Sequence, residues 1–222
     1  AELAHRAGLP SGLLNILPSK NSRAIGAEMT SNPIVKKFSF TGSTPVGKTL
    51  MKQCSDTVKR MSMELGGNAP IIIFDDADLD RAVAGAAASK YRNSGQTCIC
   101  INRILVQDTI YDAFVEKFTA LVKTFKVGNG LDKDSTHGPV VNQHAVEDIQ
   151  SLVDDALAKG AVAVEGGNLV SREGVFISRQ YSHKLMIRCV CFTKKCLVPS
   201  RLLLVLVPKK KLLPWPMIQN LA

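Results

Sequence analysis

The chain switches repeatedly between short apolar runs and longer amphipathic or Ala-rich stretches. Apolar runs bounded by Gly or Pro read as strands, and stretches with a 3.6-residue period read as helices. The pattern predicts a helix end over 2–7, strands over 13–17, 34–40 and 58–65, and helices over 21–30 and 43–54. Ala69 to Phe74 is continuously apolar and reads as a buried strand. Asp78 is placed to cap a helix over 79–91. A strand over 99–106, a helix over 109–125 and a Gly-rich loop over 128–138 follow. A helix over 143–159 with Gly160 as its C-cap and a strand over 161–164 complete the body. Strands alternating with helices predict an α/β fold with a mainly parallel sheet. Ala1 already stands in helical register, which suggests that an N-terminal part precedes it.

The tail, residues 169–222, follows neither a 2-residue nor a 3.6-residue period. It holds one of the 16 glycines, and its Cys, Pro and Lys runs are locally inconsistent with a folded segment. The expectation is a divergent, poorly ordered basic end, such as a shifted reading frame or an alternative exon produces. A membrane-surface or nucleic-acid tail is the alternative. Residues 1–168 carry 18 basic and 18 acidic side chains, whereas 169–222 carry 10 basic and one acid, so the net charge of +9 belongs to the tail. The pI therefore says nothing about what the body binds. The six cysteines, at 54, 98, 100, 189, 191 and 196, form no disulfide framework, and with four scattered histidines they give no zinc spacing. No metal is expected, nor any membrane span, since no run of eighteen apolar residues occurs.

Three stretches carry chemistry. Gly42-Ser43-Thr44-Pro45-Val46-Gly47-Lys48-Thr49 fits the pattern GxxxxGK[ST] between a strand and a helix. With Asp75 and Asp76 ending an apolar run, it would support a P-loop nucleotide hydrolase. The physics is broader than that, because a Gly-rich turn before a helix N-terminus suits any phosphate, a dinucleotide pyrophosphate included. A plain strand-to-helix turn is the bland reading. Glu64 ends a strand before Gly66-Gly67, where a carboxylate is accessible and can move as a general base must, though a solvated surface Glu has the same pattern. Cys98 lies in the loop Asn93-Ser94-Gly95-Gln96-Thr97-Cys98. A loop thiol can be exposed and is a good nucleophile toward a carbonyl, but a buried structural Cys also fits.

FTGSTPVGK at 40–48, MELGG at 63–67 and GQTC at 95–98 stand in the order and spacing of the aldehyde dehydrogenase superfamily, which residues 1 to about 168 resemble. ASKYRNSGQTCIC at 88–100 looks most like its succinate-semialdehyde dehydrogenase branch. The resemblance implies a partial aldehyde dehydrogenase fold. Residues 1–66 would be the C-terminal part of a Rossmann-like NAD-binding domain, and 67–168 part of an α/β catalytic thiol domain. It makes the nucleotide-hydrolase match coincidental and assigns Gly42 to Gly47 to NAD.

By resemblance, Cys98 attacks the aldehyde, the Cys98 N–H holds part of the oxyanion, and Glu64 activates water against the thioester. Arg92 matches an Arg that pairs with a distal substrate carboxylate, although at a helix end it also complements the macrodipole. Cys98 and Cys100 match a pair that closes an inactivating disulfide; an unbonded Cys100 on a strand is the other reading. The implied function is NAD-dependent oxidation of succinate semialdehyde in GABA breakdown, in the mitochondrial matrix. The implied partners are a small aldehyde and, by family habit, three further copies in a homotetramer, with no nucleic acid and no membrane. A truncated non-enzymatic product that joins intact subunits is the competing expectation.

Overall fold

The computed structural model describes residues 1–158 and 161–166, with the strand segments 169–170, 180–181, 186–188 and 204–208. The chain divides into two compact units, Ala1–Gly66 and Gly67–Ala222.

In the first unit, α1 (Glu2–Arg6) and α2 (Ser22–Ser31) precede β1 (Lys37–Thr41), α3 (Thr44–Ser55) and β2 (Arg60–Glu64). The Asn21 side chain caps α2 by accepting from the Ala24 N–H. β1 and β2 pair in parallel with Thr41 opposite Glu64, so both strands end on the same edge. Lys59 is buried and donates from Nζ to the Asn32 and Val35 carbonyls, which satisfies backbone acceptors where α2 ends. The strand expected over 13–17 does not form. Leu13, Leu14, Ile16 and Leu17 are exposed, and no described strand lies beside them to pair their backbone. β1 also begins later than the apolar run, because Ile34 is exposed and outside the ladder.

The turn between β1 and α3 is close-packed at Gly47. This glycine is buried, and an added Cβ would lie 2.5 Å from Leu65 Cδ2. A side chain at 47 would have to displace the tip of Leu65, which lies directly after β2.

In the second unit, β3 (Pro70–Ile73) leads into α4 (Leu79–Tyr91), then β4 (Arg103–Val106), α5 (Tyr111–Lys123), α6 (Gln143–Ala158) and β5 (Val162–Ala163). Short segments β6 (Leu169–Val170), β7 (Gln180–Tyr181), β8 (Met186–Arg188) and β9 (Leu204–Pro208) follow. The five-stranded sheet has the order β3-β4-β9-β8-β5, with every pair parallel except β5-β8. Asp78 caps α4 through the Arg81 N–H. β3 is an edge strand of this sheet, not fully buried as expected. Ile73 is 3% exposed, but Ile72 is 40% and the following Phe74 50% exposed, because successive side chains point to opposite faces and the face of Ile73 is the one that joins the core. β8 and β9 fall in the aperiodic tail. Leu204 to Pro208 pairs on both edges, and such a strand reads as an unbroken apolar run rather than an alternation. Apart from β6 to β9 the tail lies outside the described residues, as does Gly160 as a C-cap.

The core of this unit is the face where α4 meets α5. Ala86 and Ala87 of α4 let Phe114, Phe118 and Val122 of α5 approach, and all five are buried. Phe114 and Phe118 stack at 5.3 Å. Tyr91 closes the cluster, with Phe125 edge-on at 5.3 Å, and His137 lies 4.4 Å from Phe125.

Two predictions follow from this packing. Gly47→Ala should destabilise the first unit by about 1–3 kcal/mol in denaturant unfolding, and adding Leu65→Ala should recover part of the loss. Burial against the aromatic cluster lowers the His137 pKa, and a hydrogen bond with the Tyr91 backbone only partly opposes this. The folded state thus binds the proton less readily than the unfolded chain. Stability of the second unit should be fully present above about pH 6.5 and fall as pH drops through the lowered folded value. His137→Phe should flatten that fall in melts taken across the window.

Candidate active site

One candidate site is the edge of the first unit where β1 and β2 end. In open parallel α/β sheets, ligands bind beyond the carboxyl ends of the strands. Here that end gathers the Gly42–Gly47 turn and Glu64, tied by the Gly42 N–H donating to the Glu64 carbonyl at 3.0 Å. Gly42, Ser43, Pro45, Val46 and Lys48 are exposed and Thr44 is half-buried. Ser43 precedes α3 without a side-chain cap, no acid occupies the first turn, and Pro45 has no N–H to satisfy. An uncapped, acid-free N-terminus of a twelve-residue helix suits an anionic phosphate group. Thr49 Oγ1 donates back to the Pro45 carbonyl at 3.1 Å. The Glu64 side chain is exposed, so its carboxylate is free to change rotamer.

A second candidate site lies within the second unit, between α4 and β4. α4 stops at Tyr91, and Asn93, Ser94 and Gly95 then take positive φ of 49°, 55° and 78°. Left-handed residues in succession are costly for L-residues other than Gly. Here the turn is held from outside by side chains. Ser94 Oγ donates to the Gly138 carbonyl at 2.9 Å. Gln96 Nε2 donates to the Pro139 carbonyl at 3.2 Å, and Gln96 Oε1 accepts from the Val141 N–H at 2.8 Å.

Beyond this turn Cys98 is exposed and Cys100 is buried, both as free thiols. Among the described residues the Cys98 N–H makes no hydrogen bond. The expected strand over 99–106 begins only at Arg103. The Cys100 N–H is captured by the Thr97 carbonyl at 3.2 Å, and its thiol meets Thr97 Oγ1 and donates to the Arg92 carbonyl at 3.6 Å. Cys100 therefore sits in a closed turn and not on an extended ladder. Arg92 ends α4 with an exposed side chain and forms no ion pair among the described residues.

The structure thus brings Cys98, Cys100 and Arg92 into one loop, and Glu64 and Gly42 to Gly47 to one sheet end. Ser94 and Gln96 were named in the sequence motif without a role. Their contacts lie more than 40 residues away, and only the Asn-Ser-Gly composition of the turn hints at them. Among the described residues no cluster of three or more His, Cys, Asp or Glu side chains is placed to hold a metal ion. None of their helices is long and apolar enough to cross a membrane.

Comparison with known proteins covers most of the chain. The profile of the aldehyde dehydrogenase family matches residues 1–179, past the limit of about 168 that the motifs suggested. The NADP(+) succinate-semialdehyde dehydrogenase GabD of Escherichia coli strain K12 is 53% identical over 176 residues, 79% of this chain and 36% of that one. The mitochondrial succinate-semialdehyde dehydrogenase of Mus musculus is 46% identical over 202 residues, 90% of this chain and 39% of that one. A crystal structure of succinate-semialdehyde dehydrogenase from Burkholderia pseudomallei superimposes with a TM-score of 0.87 at 44% identity, covering all of this chain and 44% of that one. The chain spans somewhat over a third of the length of these curated relatives. Its motifs, its α/β architecture and these matches together place it in the aldehyde dehydrogenase family.

Proposed function

We propose that this chain carries the acylating thiol and the hydrolytic base of a nicotinamide-dependent aldehyde dehydrogenase acting on succinate semialdehyde. The observation that carries the reading is the loop at Cys98, where the thiol is exposed and the adjoining N–H is unengaged while the neighbouring Cys100 is held inside. The Cys98 thiolate adds to the aldehyde carbon, and the developing oxyanion accepts from the Cys98 N–H. A nicotinamide dinucleotide, when bound, supplies the acceptor for the hydride. The uncapped start of α3 and the exposed Gly42–Val46 turn suit its pyrophosphate, with Gly47 holding the turn close to β2. Glu64 takes a proton from water, which then attacks the thioester carbonyl and releases the acid and the Cys98 thiolate.

Arg92 offers an exposed guanidinium able to grip a distal carboxylate at two oxygens, which favours a carboxylated aldehyde over an uncharged one. The sequence resemblance points to NAD, whereas the Escherichia coli relative is named for NADP(+), so both cofactors belong in the assay. A mitochondrial place in GABA breakdown, and a homotetramer, are proposed on resemblance; the mouse relative is named mitochondrial at 46% identity, and the bacterial one has the higher identity of 53%. Neither the P-loop hydrolase reading nor a purely non-enzymatic product draws support from the family match.

The test is reduction of NAD+ or NADP+ with succinate semialdehyde, on this chain and on the chain set into the remaining length of a relative. Cys98→Ala should abolish reduction, and Glu64→Gln should leave a single burst while stalling turnover. Arg92→Gln should raise KM for succinate semialdehyde by roughly tenfold to a hundredfold and leave that for butanal nearly unchanged. Equal loss on both aldehydes would remove Arg92 from substrate recognition.

We also propose that peroxide oxidises Cys98 to a sulfenic acid that condenses with the Cys100 thiol, releasing water and forming a disulfide. The Thr97–Cys100 turn must open for this, because the Cys100 thiol is buried against Arg92. Peroxide should block iodoacetamide labelling of Cys98 reversibly in the wild type and less so after Cys100→Ala; equal sensitivity would refute the switch.

A further inference from the structure

We propose that Gln96 is a positioning residue for the nucleophile, docking the Cys98 loop onto the 138–141 segment, with Ser94 as its second tie. The proposal rests on Cys98 being the nucleophile.

A primary amide side chain presents one acceptor oxygen and two donor hydrogens, as does no other side chain of that reach. Pro139 and Val141 offer the matching pair on one stretch of backbone, a free carbonyl and a free N–H two residues apart. Gln96 takes both, at 3.2 Å and 2.8 Å, and pairs with the segment as a neighbouring strand would. Its second N–H reaches the Asn93 carbonyl at 3.3 Å, which clasps the left-handed turn from the other side. Ser94 adds its bond to Gly138.

The far side of the clasp is itself fixed. The His137 carbonyl accepts from the Gly128 N–H at 2.9 Å, the His137 ring packs on Phe125, and Val140 packs against the core. Between Gln96 and β4 no residue joins a strand ladder, so Gln96 is the last long-range tie before Cys98 on its N-terminal side. The loop is held from there on its N-terminal side, and on its C-terminal side by the Cys100 bonds to Thr97 and Arg92 and by the Asn102 N–H donating to the Ala69 carbonyl. Side-chain ties that hold a reacting group in place act on the rate of the chemical step.

The experiment is the pre-steady-state burst of p-nitrophenyl acetate on the full 222-residue chain. In it the Cys98 thiolate attacks the ester carbonyl, the ester C–O bond breaks, nitrophenolate leaves, and a thioester forms on Cys98. The step needs neither cofactor nor Glu64, and a Cys98→Ala chain gives the background from other thiols. Gln96→Met keeps the length and removes all three bonds; Ser94→Ala removes the second tie; Gln96→Glu keeps only the acceptor for Val141. The acylation rate constant should fall by roughly tenfold to a hundredfold for Gln96→Met and less for Gln96→Glu and Ser94→Ala, with half-saturation and burst amplitude unchanged. The Gln96→Met/Ser94→Ala pair should be non-additive.

A lower amplitude at an unchanged rate constant, in either Gln96 variant, would mean that Gln96 merely keeps the loop folded and would overturn the proposal. So would unchanged kinetics in all variants. A chain whose burst responds as expected, yet which reduces no nicotinamide with any aldehyde when set into a relative, would refute the proposed function and leave the positioning role standing.

Discussion

The reversal of the chain at Asn93–Gly95 is the constraint on which the thiol loop depends. α4 ends at Tyr91 with its core face filled, and a continued helix would carry Cys98 around with it. Three successive left-handed residues turn the chain instead. For Asn and Ser this conformation costs on the order of 1–3 kcal/mol each. Side-chain bonds from Ser94 and Gln96 and the burial of Ser94 and Gly95 offset that cost. The result is an asymmetry two residues wide, in which Cys98 faces solvent and Cys100 faces the Arg92 carbonyl. One thiol is thereby available for attack while its neighbour is protected by the same turn.

A second constraint acts in the first unit. Parallel pairing with Thr41 opposite Glu64 forces two sequence motifs, more than twenty residues apart, onto one sheet end. The Gly42 N–H bond to the Glu64 carbonyl then ties the backbone of the proposed base to the phosphate-suited turn, while its side chain stays exposed. A tethered backbone with an exposed side chain suits a general base, which must reach both water and solvent.

What could be read from the sequence followed locality. The body's helices were legible because each carries its own period and often its own cap, as Asp78 does for α4. The positions of Cys98, Glu64 and the Gly42–Gly47 turn were legible because three short motifs at set spacing are specific together. Leu13–Leu17 misled, since an apolar run states a wish for burial and not the presence of a partner strand. Ile72 and Phe74 misled for the same reason, as a run of isoleucines looks alike in a central or an edge strand. Cys100 misled because a single N–H of its own, accepted by the Thr97 carbonyl, converts a strand-like stretch into a turn. The roles of Ser94 and Gln96 were illegible because their partners are backbone groups, which carry no residue signature.

Charge gives a last step. The body's basic and acidic residues cancel over 1–168, so it offers an anionic substrate little net long-range attraction, and at physiological salt such attraction fades beyond about 8 Å. The proposed preference for a carboxylated aldehyde then has to arise at contact. An exposed guanidinium supplies little there while solvated, because water competes for both partners. Its contribution grows only when the carboxylate and Arg92 are desolvated together around a bound substrate. Arg92 suits this because its backbone is already immobilised, with its carbonyl accepting from Cys100 and its residue closing α4. The loop that holds the proposed nucleophile thus also holds the group proposed to recognise the far end of its substrate, and a displacement of one would be felt by the other.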